Sequence, residues 1–321
     1  MTGAGTRRGE FELIAALFAP LSKSAPGALG LTDDAAFIDV TPGCTLVTTV
    51  DTVIAGVHFR FNDPPDLVAR KALRVNLSDL AAKGAKPVGF LHALALNDAT
   101  DDAFLERYAA GLAADVKEFA VPLLGGDTTS GPGPFSITIM AFGEVEKGTA
   151  LLRSGARDGD VLCVTGTIGD GALGLACLES RLQLPALLRD ELIQRYRLPL
   201  PRLDAGRRLV GPATACLDIS DGLAADVGHL AQGSGLAATI MRESIPLSAG
   251  ARAAVEQDPR WWDEILGGGD DYELAFTVPR EGLADLPAQA TAIGVMGVGR
   301  GVTVTADGQP LALQRTGYRH R

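Results

Sequence analysis

The chain has 321 residues, 46% of them apolar and only 5% aromatic, with a formal net charge of −10. That length suits two domains of ordinary size. The acidic balance argues against nucleic acid or an anionic membrane as partner, since both attract basic patches, but it admits a phosphorylated ligand bridged by divalent cations.

In chain order, residues 10–21 place Phe11, Ile14, Ala15, Phe18 and Leu21 on one helical face, with Pro20 near the end. The run "CTLVTTVDTV" reads as a buried, β-branched strand. A helix is expected over "DLVARKALRVNLSDLAAKGAKP", ending at Gly84 and Pro87, and a strand over "VGFLHALAL". From Asp101 to Phe119 the stripe Leu105, Tyr108, Leu112, Val116 and Phe119 predicts a helix capped by Asp101 or Asp102. Alternation predicts a strand over 135–145.

Residues 146–160 carry charges and glycines between two strong strands, which places a domain boundary there, with domains 1–148 and 149–321. Beyond it, "VLCVTGTIGDGALGLACLES" is strand, glycine turn and helix, and "LPLPRLDAGRRLV" a proline-marked loop entering a helix. "ACLDISDGLAADVGHLAQGSG" passes from buried strand to helix, and "YELAFTV" and "ATAIGVMGVG" are strand-like. Alternating strands and helices in both halves give a two-domain α/β (α+β) protein. No apolar run is long enough to cross a bilayer, and no long apolar run follows the two N-terminal arginines, so a soluble, cytoplasmic protein is expected. Cys44, Cys163, Cys177 and Cys216 form no C-x-x-C pair and read as scattered thiols of a reducing compartment.

Aspartates recur at the ends of apolar runs or on glycine turns: Asp33 and Asp34, Asp51, Asp79, Asp127, and the pair Asp218 and Asp221. Nearly all have Ser, Thr or Gly beside them. Singly, each is a cap or turn residue (Asp221 a good N-cap, Asp79 on a solvated helix face). Together they favour a metal–phosphate site, because Mg²⁺ takes oxygen ligands and bridges carboxylates to phosphates. There is no P-loop, and "GTIGDGALG" matches a dinucleotide fingerprint only loosely. The four histidines, His58, His92, His229 and His320, lack zinc-site spacing, and His229 reads as a core residue.

The ordered motifs "GEFELI", "DDAAF", "TTVDTVIAGVHF", "KALRVNLSDLAAKGAKP", "GGDTT", "ITIMAFGEV", "LRSGARDGD", "TGTIGDGALGL", "LDISDGLAAD" and "GGDDYEL" resemble the thiamine-monophosphate kinase family from end to end. The resemblance implies the aminoimidazole ribonucleotide synthetase-like fold, with an N-terminal domain forming a β-barrel across a homodimer and a C-terminal α/β domain. It implies ATP-dependent phosphorylation of thiamine monophosphate to thiamine diphosphate with several Mg²⁺ ions. Metal ligands would be Asp33, Thr49, Asp51, Asp79, Asp127, Asp218 and Asp221, with Val50 acting through its carbonyl. ATP would meet Gly126, Asp127, Arg153 and Ser220; thiamine phosphate would meet His58, Asp270 and Tyr318. Asp127, Asp218 and Asp221 would carry the catalytic step.

Three positions depart from the family pattern: Thr32 for glycine, Val50 for threonine and Asp270 for glutamate. An ATP-dependent ligase or cyclase of the same fold, and a nucleotide-binding paralogue without turnover, are the competing readings. A selenophosphate synthetase would need an N-terminal reactive cysteine, and a hydrogenase-maturation relative would end in one; this chain ends "GYRHR".

Overall fold

The computed structural model describes residues 8–313 and 317–318; His320 lies outside them. The chain divides into two compact units, Met1–Leu80 with Lys86–Lys147, and Ala81–Ala85 with Gly148–Arg321.

The first unit opens with α1 (Glu10–Leu13), continued by a π turn (Ile14–Phe18) and a 3₁₀ turn (Ala19–Ser22). The change of winding moves the buried face away from a regular 3.6-residue stripe. Leu13, Phe18 and Leu21 are buried, whereas Phe11 and Ala15, expected on the apolar face, are exposed.

Its sheet has the order β1 (Cys44–Ile54), β4 (Ser136–Glu146), β2 (Lys86–Leu96) and β3 (Leu123–Ser130). The first two contacts are antiparallel, and β2 with β3 is parallel. Ile137, Ile139 and Ala141 of β4 and Phe90, His92 and Leu94 of β2 alternate as the buried face. Helices α2 (Pro65–Ala82) and α3 (Asp102–Phe119) supply Leu73, Leu77, Leu105, Tyr108 and Leu112 to the core. The Asp101 carboxylate caps α3 by accepting from the Phe104 N–H at 2.8 Å.

Strand β1 is only half buried, not the buried strand its composition suggests, because it is a sheet edge with one outward face. Val50 and Met140 are paired neighbours on that outward face and stay 54% and 37% exposed. Within the single chain the four strands form an open sheet, with β1 and β3 as its edges, and not a closed barrel.

The second unit is built on a seven-stranded sheet ordered β11 (Gln309–Leu311), β10 (Gly301–Ala306), β7 (Ala237–Met241), β9 (Ala290–Gly297), β5 (Val161–Thr165), β8 (Leu274–Val278) and β6 (Ala215–Asp218). Only β10 with β7 is parallel. Its helices are α4 (Asp170–Leu178), α5 (Ala186–Arg197), α6 (Leu203–Leu209), α7 (Leu223–Ser234), α8 (Ala249–Gln257) and α9 (Trp261–Gly267). Leu162, Val164, Leu173, Leu217, Ile219, Val227, Leu230 and Ile265 form the centre of one continuous core.

The cysteines are free thiols, and burial pushes Cys163 and Cys216 up to about 12, well away from reactive thiolate. None of the described helices is long and apolar enough to cross a membrane.

Candidate active site

In the first unit, alternation along β1 turns Thr49 and Asp51 toward the face that also carries Ile139 and Ala141. Asp79, in the last turns of α2, meets them there. The Thr49 hydroxyl donates to the Asp79 carboxylate, so Asp79 is engaged and not a freely solvated helix position. Burial first, and the Asp79 charge second, raise the Asp51 carboxyl to about 6. Two carboxylates and a hydroxyl so gathered form a hard-oxygen donor set of the kind Mg²⁺ takes. The Val50 side chain points to the opposite face.

Asp127 lies within β3, opposite Ala93 of β2, and not on a glycine turn. Strands β1 and β3 are separated by two others, so at about 4.8 Å per strand Asp127 stands about 14 Å from β1 across the sheet. It lines a different place: a cavity of about 640 Å³ bounded by Phe18, Asp33, Val50, Met140, Gly126 and Asp127 among others. Asp33 is exposed there, and its carboxylate accepts the Asp34 N–H at 2.8 Å. Thr32, beside it, donates its hydroxyl to the Leu29 carbonyl at 2.8 Å. Gly126 has a packing reason to be glycine, since a Cβ there would lie 2.0 Å from the His92 carbonyl oxygen.

His58 follows β1. Its Nδ1 accepts the Ile54 N–H at 3.1 Å, which leaves Nε2 to carry the proton of the neutral ring. Its carbonyl accepts from the Lys71 ammonium at 3.2 Å.

In the second unit, β6 ends at Asp218, which is buried, and the chain turns through Ser220, Asp221 and Gly222 into α7. Gly222 is the N-cap at φ 126°, and a Cβ on it would come within 2.9 Å of Gly267 and Gly268. Asp221 makes no side-chain cap; instead its N–H and that of Gly222 donate to Asp226 at 3.0 and 3.1 Å. Burial, and then the Asp221 charge, push Asp226 up to about 7 against those bonds.

A second loop lies alongside this turn. The Asp270 N–H donates to the Ser220 carbonyl at 3.0 Å and the Tyr272 N–H to that of Ile219 at 2.8 Å. Asp270 and Tyr272 both have positive φ, 71° and 52°, a strained state for residues with side chains. Between them, the buried Asp271 accepts from the Gly169 and Gly171 N–H groups at 2.7 and 3.1 Å. Burial pushes it up to about 8.

Tyr318 donates its N–H to the Asp221 carbonyl at 2.9 Å and is 41% exposed. Arg153 is exposed beside β6, where the neighbouring Leu152 carbonyl accepts the Cys216 N–H at 2.7 Å. His229 is exposed on α7 and lines a second cavity with Asp221, Arg300 and Tyr318, so it is not core.

The structure therefore gathers Thr49, Asp51 and Asp79 in one group, Asp33, Gly126 and Asp127 around one cavity, and Asp218, Ser220 and Asp221 at the end of β6 and its turn, with Asp270 and Tyr318 hydrogen-bonded to that turn from two other segments. Asp226, Asp271 and the buried Glu273, bound by Arg195 and Arg202 at contacts down to 2.5 Å, had no role in the sequence reading. Their signal was present in "SDGLAAD" and "GGDDYEL", but only folding reveals which backbone amides or guanidinium groups each carboxylate meets.

The profile described as AIR synthase related protein, N-terminal domain, matches residues 32–145, and that for the C-terminal domain matches 157–306. A thiamine-monophosphate kinase of Caulobacter vibrioides is 41% identical, over 97% of this chain and 90% of the relative; that of Escherichia coli K12 is 42% identical, over 97% and 98%. Among solved structures, the thiamine-monophosphate kinase of Stenotrophomonas maltophilia superposes with a TM-score of 0.81 at 36% identity, covering 92% of this chain and 98% of that one. AaThiL complexed with AMPPCP and TMP gives 0.79 at 32%, covering 99% and 100%. The hydrogenase maturation protein HypE, at 22% identity and a TM-score of 0.77, shares the fold. With both domains matched and close relatives aligned over nearly its whole length, the chain belongs to the AIR synthase related family and, within it, to the thiamine-monophosphate kinases.

Proposed function

We propose that this protein transfers the γ-phosphoryl group of ATP to thiamine monophosphate. A phosphate oxygen of the acceptor attacks the γ-phosphorus in line, the bond to the β,γ-bridging oxygen breaks, and thiamine diphosphate and ADP result. The observation that carries the reading is the gathering of oxygen donors at the family's motifs, Thr49 with Asp51 and Asp79 above all.

The donor chemistry of each group fits Mg²⁺: Asp51, Asp79, Thr49 and the Val50 carbonyl would be ligands in one group, Asp33 and Asp127 around the cavity of the first unit, and Asp218 and Asp221 in the second unit. When bound, Mg²⁺ supplies the charge neutralisation that lets two phosphate-bearing molecules approach. The protein's own part is positioning. Gly126, Arg153 and Ser220 are assigned to ATP, the guanidinium countering phosphate charge. His58, Asp270 and Tyr318 are assigned to thiamine phosphate, Tyr318 offering an exposed ring for stacking. A phosphate monoester is largely ionised near neutral pH, its second pKa being about 6, so the acceptor needs no strong base.

A homodimer belongs to the same proposal. Support comes from the apolar outward sheet face at Leu46, Val50 and Met140 and from the two open sheet edges, which a second copy would cover.

The test offers thiamine monophosphate, free thiamine and formylglycinamidine ribonucleotide separately with ATP and Mg²⁺, with Asp79→Asn as control. Thiamine diphosphate from the monophosphate alone, lowered about 100-fold in the variant, is expected. Turnover of formylglycinamidine ribonucleotide would reassign the chain to cyclase chemistry, and ATP binding without turnover would make it a non-catalytic paralogue.

A further inference from the structure

Asp226 stands one turn into α7, and its side chain reaches back to the turn that precedes the helix. It keeps only 5% of its exposure. The first N–H groups of a helix have no partner within it, and here the Asp226 carboxylate takes two N–H groups from the entry, those of Asp221 and Gly222. The same turn is used from its other side. The Ser220 carbonyl accepts from Asp270, and the Asp221 carbonyl accepts from Tyr318. One buried carboxylate thus holds the backbone on which four assigned site residues, Ser220, Asp221, Asp270 and Tyr318, are hung.

We infer that Asp226 is a positioning residue for phosphoryl transfer: it sets the Ser220–Gly222 turn, and through it the carboxylate of Asp221 and the placement of Asp270 and Tyr318. The inference rests on the kinase reading above. A different role is geometrically open, because ligand atoms of Asp221, Asp226 and His229 lie within 4.8 Å of one another and could hold a cation. The two amides already on a single Asp226 oxygen favour positioning, which needs an acceptor and not a charge.

Asp226→Asn keeps an acceptor without the charge, Asp226→Ala removes both, and His229→Ala removes only the third candidate ligand. Steady-state kinetics with ATP, Mg²⁺ and thiamine monophosphate are paired with hydrogen exchange of residues 215–235. Asp226→Ala is expected to lower kcat about 100-fold while moving the KM for ATP by less than about threefold, and to speed exchange at Asp221 and Gly222. Asp226→Asn is expected to stay within about fivefold of wild type and His229→Ala within about threefold. Wild-type kcat in Asp226→Ala would overturn the inference. So would an Asp226→Asn loss as deep as that of Asp226→Ala and matched by His229→Ala, which would mark a cation ligand. If the wild type itself forms no thiamine diphosphate, the kinase reading fails separately, and the exchange arm decides: unchanged exchange in Asp226→Ala then sinks the positioning role.

Discussion

The Thr49 hydroxyl of β1 donates to the Asp79 carboxylate of α2, tying an edge strand to a helix at the place where Asp51 also stands. Hydrogen bonds to charged groups contribute more than neutral ones. Thr49→Ala and Asp79→Asn should therefore be non-additive. In a double-mutant cycle of urea unfolding we expect a coupling of about 1 kcal/mol, and strict additivity would remove the bond from the account. In turnover, Asp79→Asn should cost about 100-fold and Thr49→Ala about tenfold, since a hydroxyl that orients a carboxylate contributes less than the carboxylate itself.

His92 sets a pH dependence of stability. Buried among Phe18 and Tyr108, and 2.7 Å from the Tyr108 hydroxyl, it is held neutral, with burial lowering its pKa from 6.5 to about 3. The unfolded chain binds this proton below about 6.5 and the folded chain does not, so the contribution is present above 6.5 and lost as pH falls toward 3. Between pH 6.5 and pH 5 that is about 2 kcal/mol. His92→Gln keeps a polar partner for Tyr108 but does not titrate. Urea midpoints at pH 7 and pH 5 should differ less in this variant than in the wild type; an equal difference would place the acid sensitivity elsewhere.

Glu273 is fully buried and accepts from Arg195, Arg202 and the Thr165 hydroxyl. Removing one side of a buried charge cluster leaves the other uncompensated. Glu273→Ala should destabilise the protein by about 3 kcal/mol, somewhat below the cost in a wholly dry site because both arginines keep contact with solvent. Thermal unfolding measures it, and a change under about 0.5 kcal/mol would show the cluster to be neutral.

The outward face of the first unit's sheet predicts the assembly state. Val50 and Met140 are exposed neighbours there. A charge on each, in Val50→Asp with Met140→Glu, should weaken dimerisation by at least about tenfold, because buried unpaired charges are costly at an interface. Light scattering across a dilution series reads this directly. A monomeric wild type, or a variant that dimerises equally well, would mean the face is covered in another way.

Most elements were legible from local chemistry. The stripe Leu105, Tyr108, Leu112 and the Asp101 cap define α3 because helical periodicity and capping are short-range, and the alternation at 135–145 defines β4 for the same reason. The motif aspartates and the resemblance they carry were likewise visible in one dimension. What a residue meets across the fold was not. Composition makes β1 look buried, yet its edge position leaves Val50 exposed; periodicity places Phe11 inward, yet the π turn after Leu13 turns it out. His229 reads as core until the α7 face it occupies opens on a cavity. Asp127 and Asp51 look like members of one ligand set, but strand order puts two strands between theirs. Asp226 looks like an ordinary helix residue until its side chain is found on the amides of Asp221 and Gly222. Sequence alone determined the residue types and local periodicities, and so the family. Strand order, helix register and loop-to-loop hydrogen bonds are set by long-range packing, and only the tertiary structure decided which of those carboxylates stand together and what holds them there.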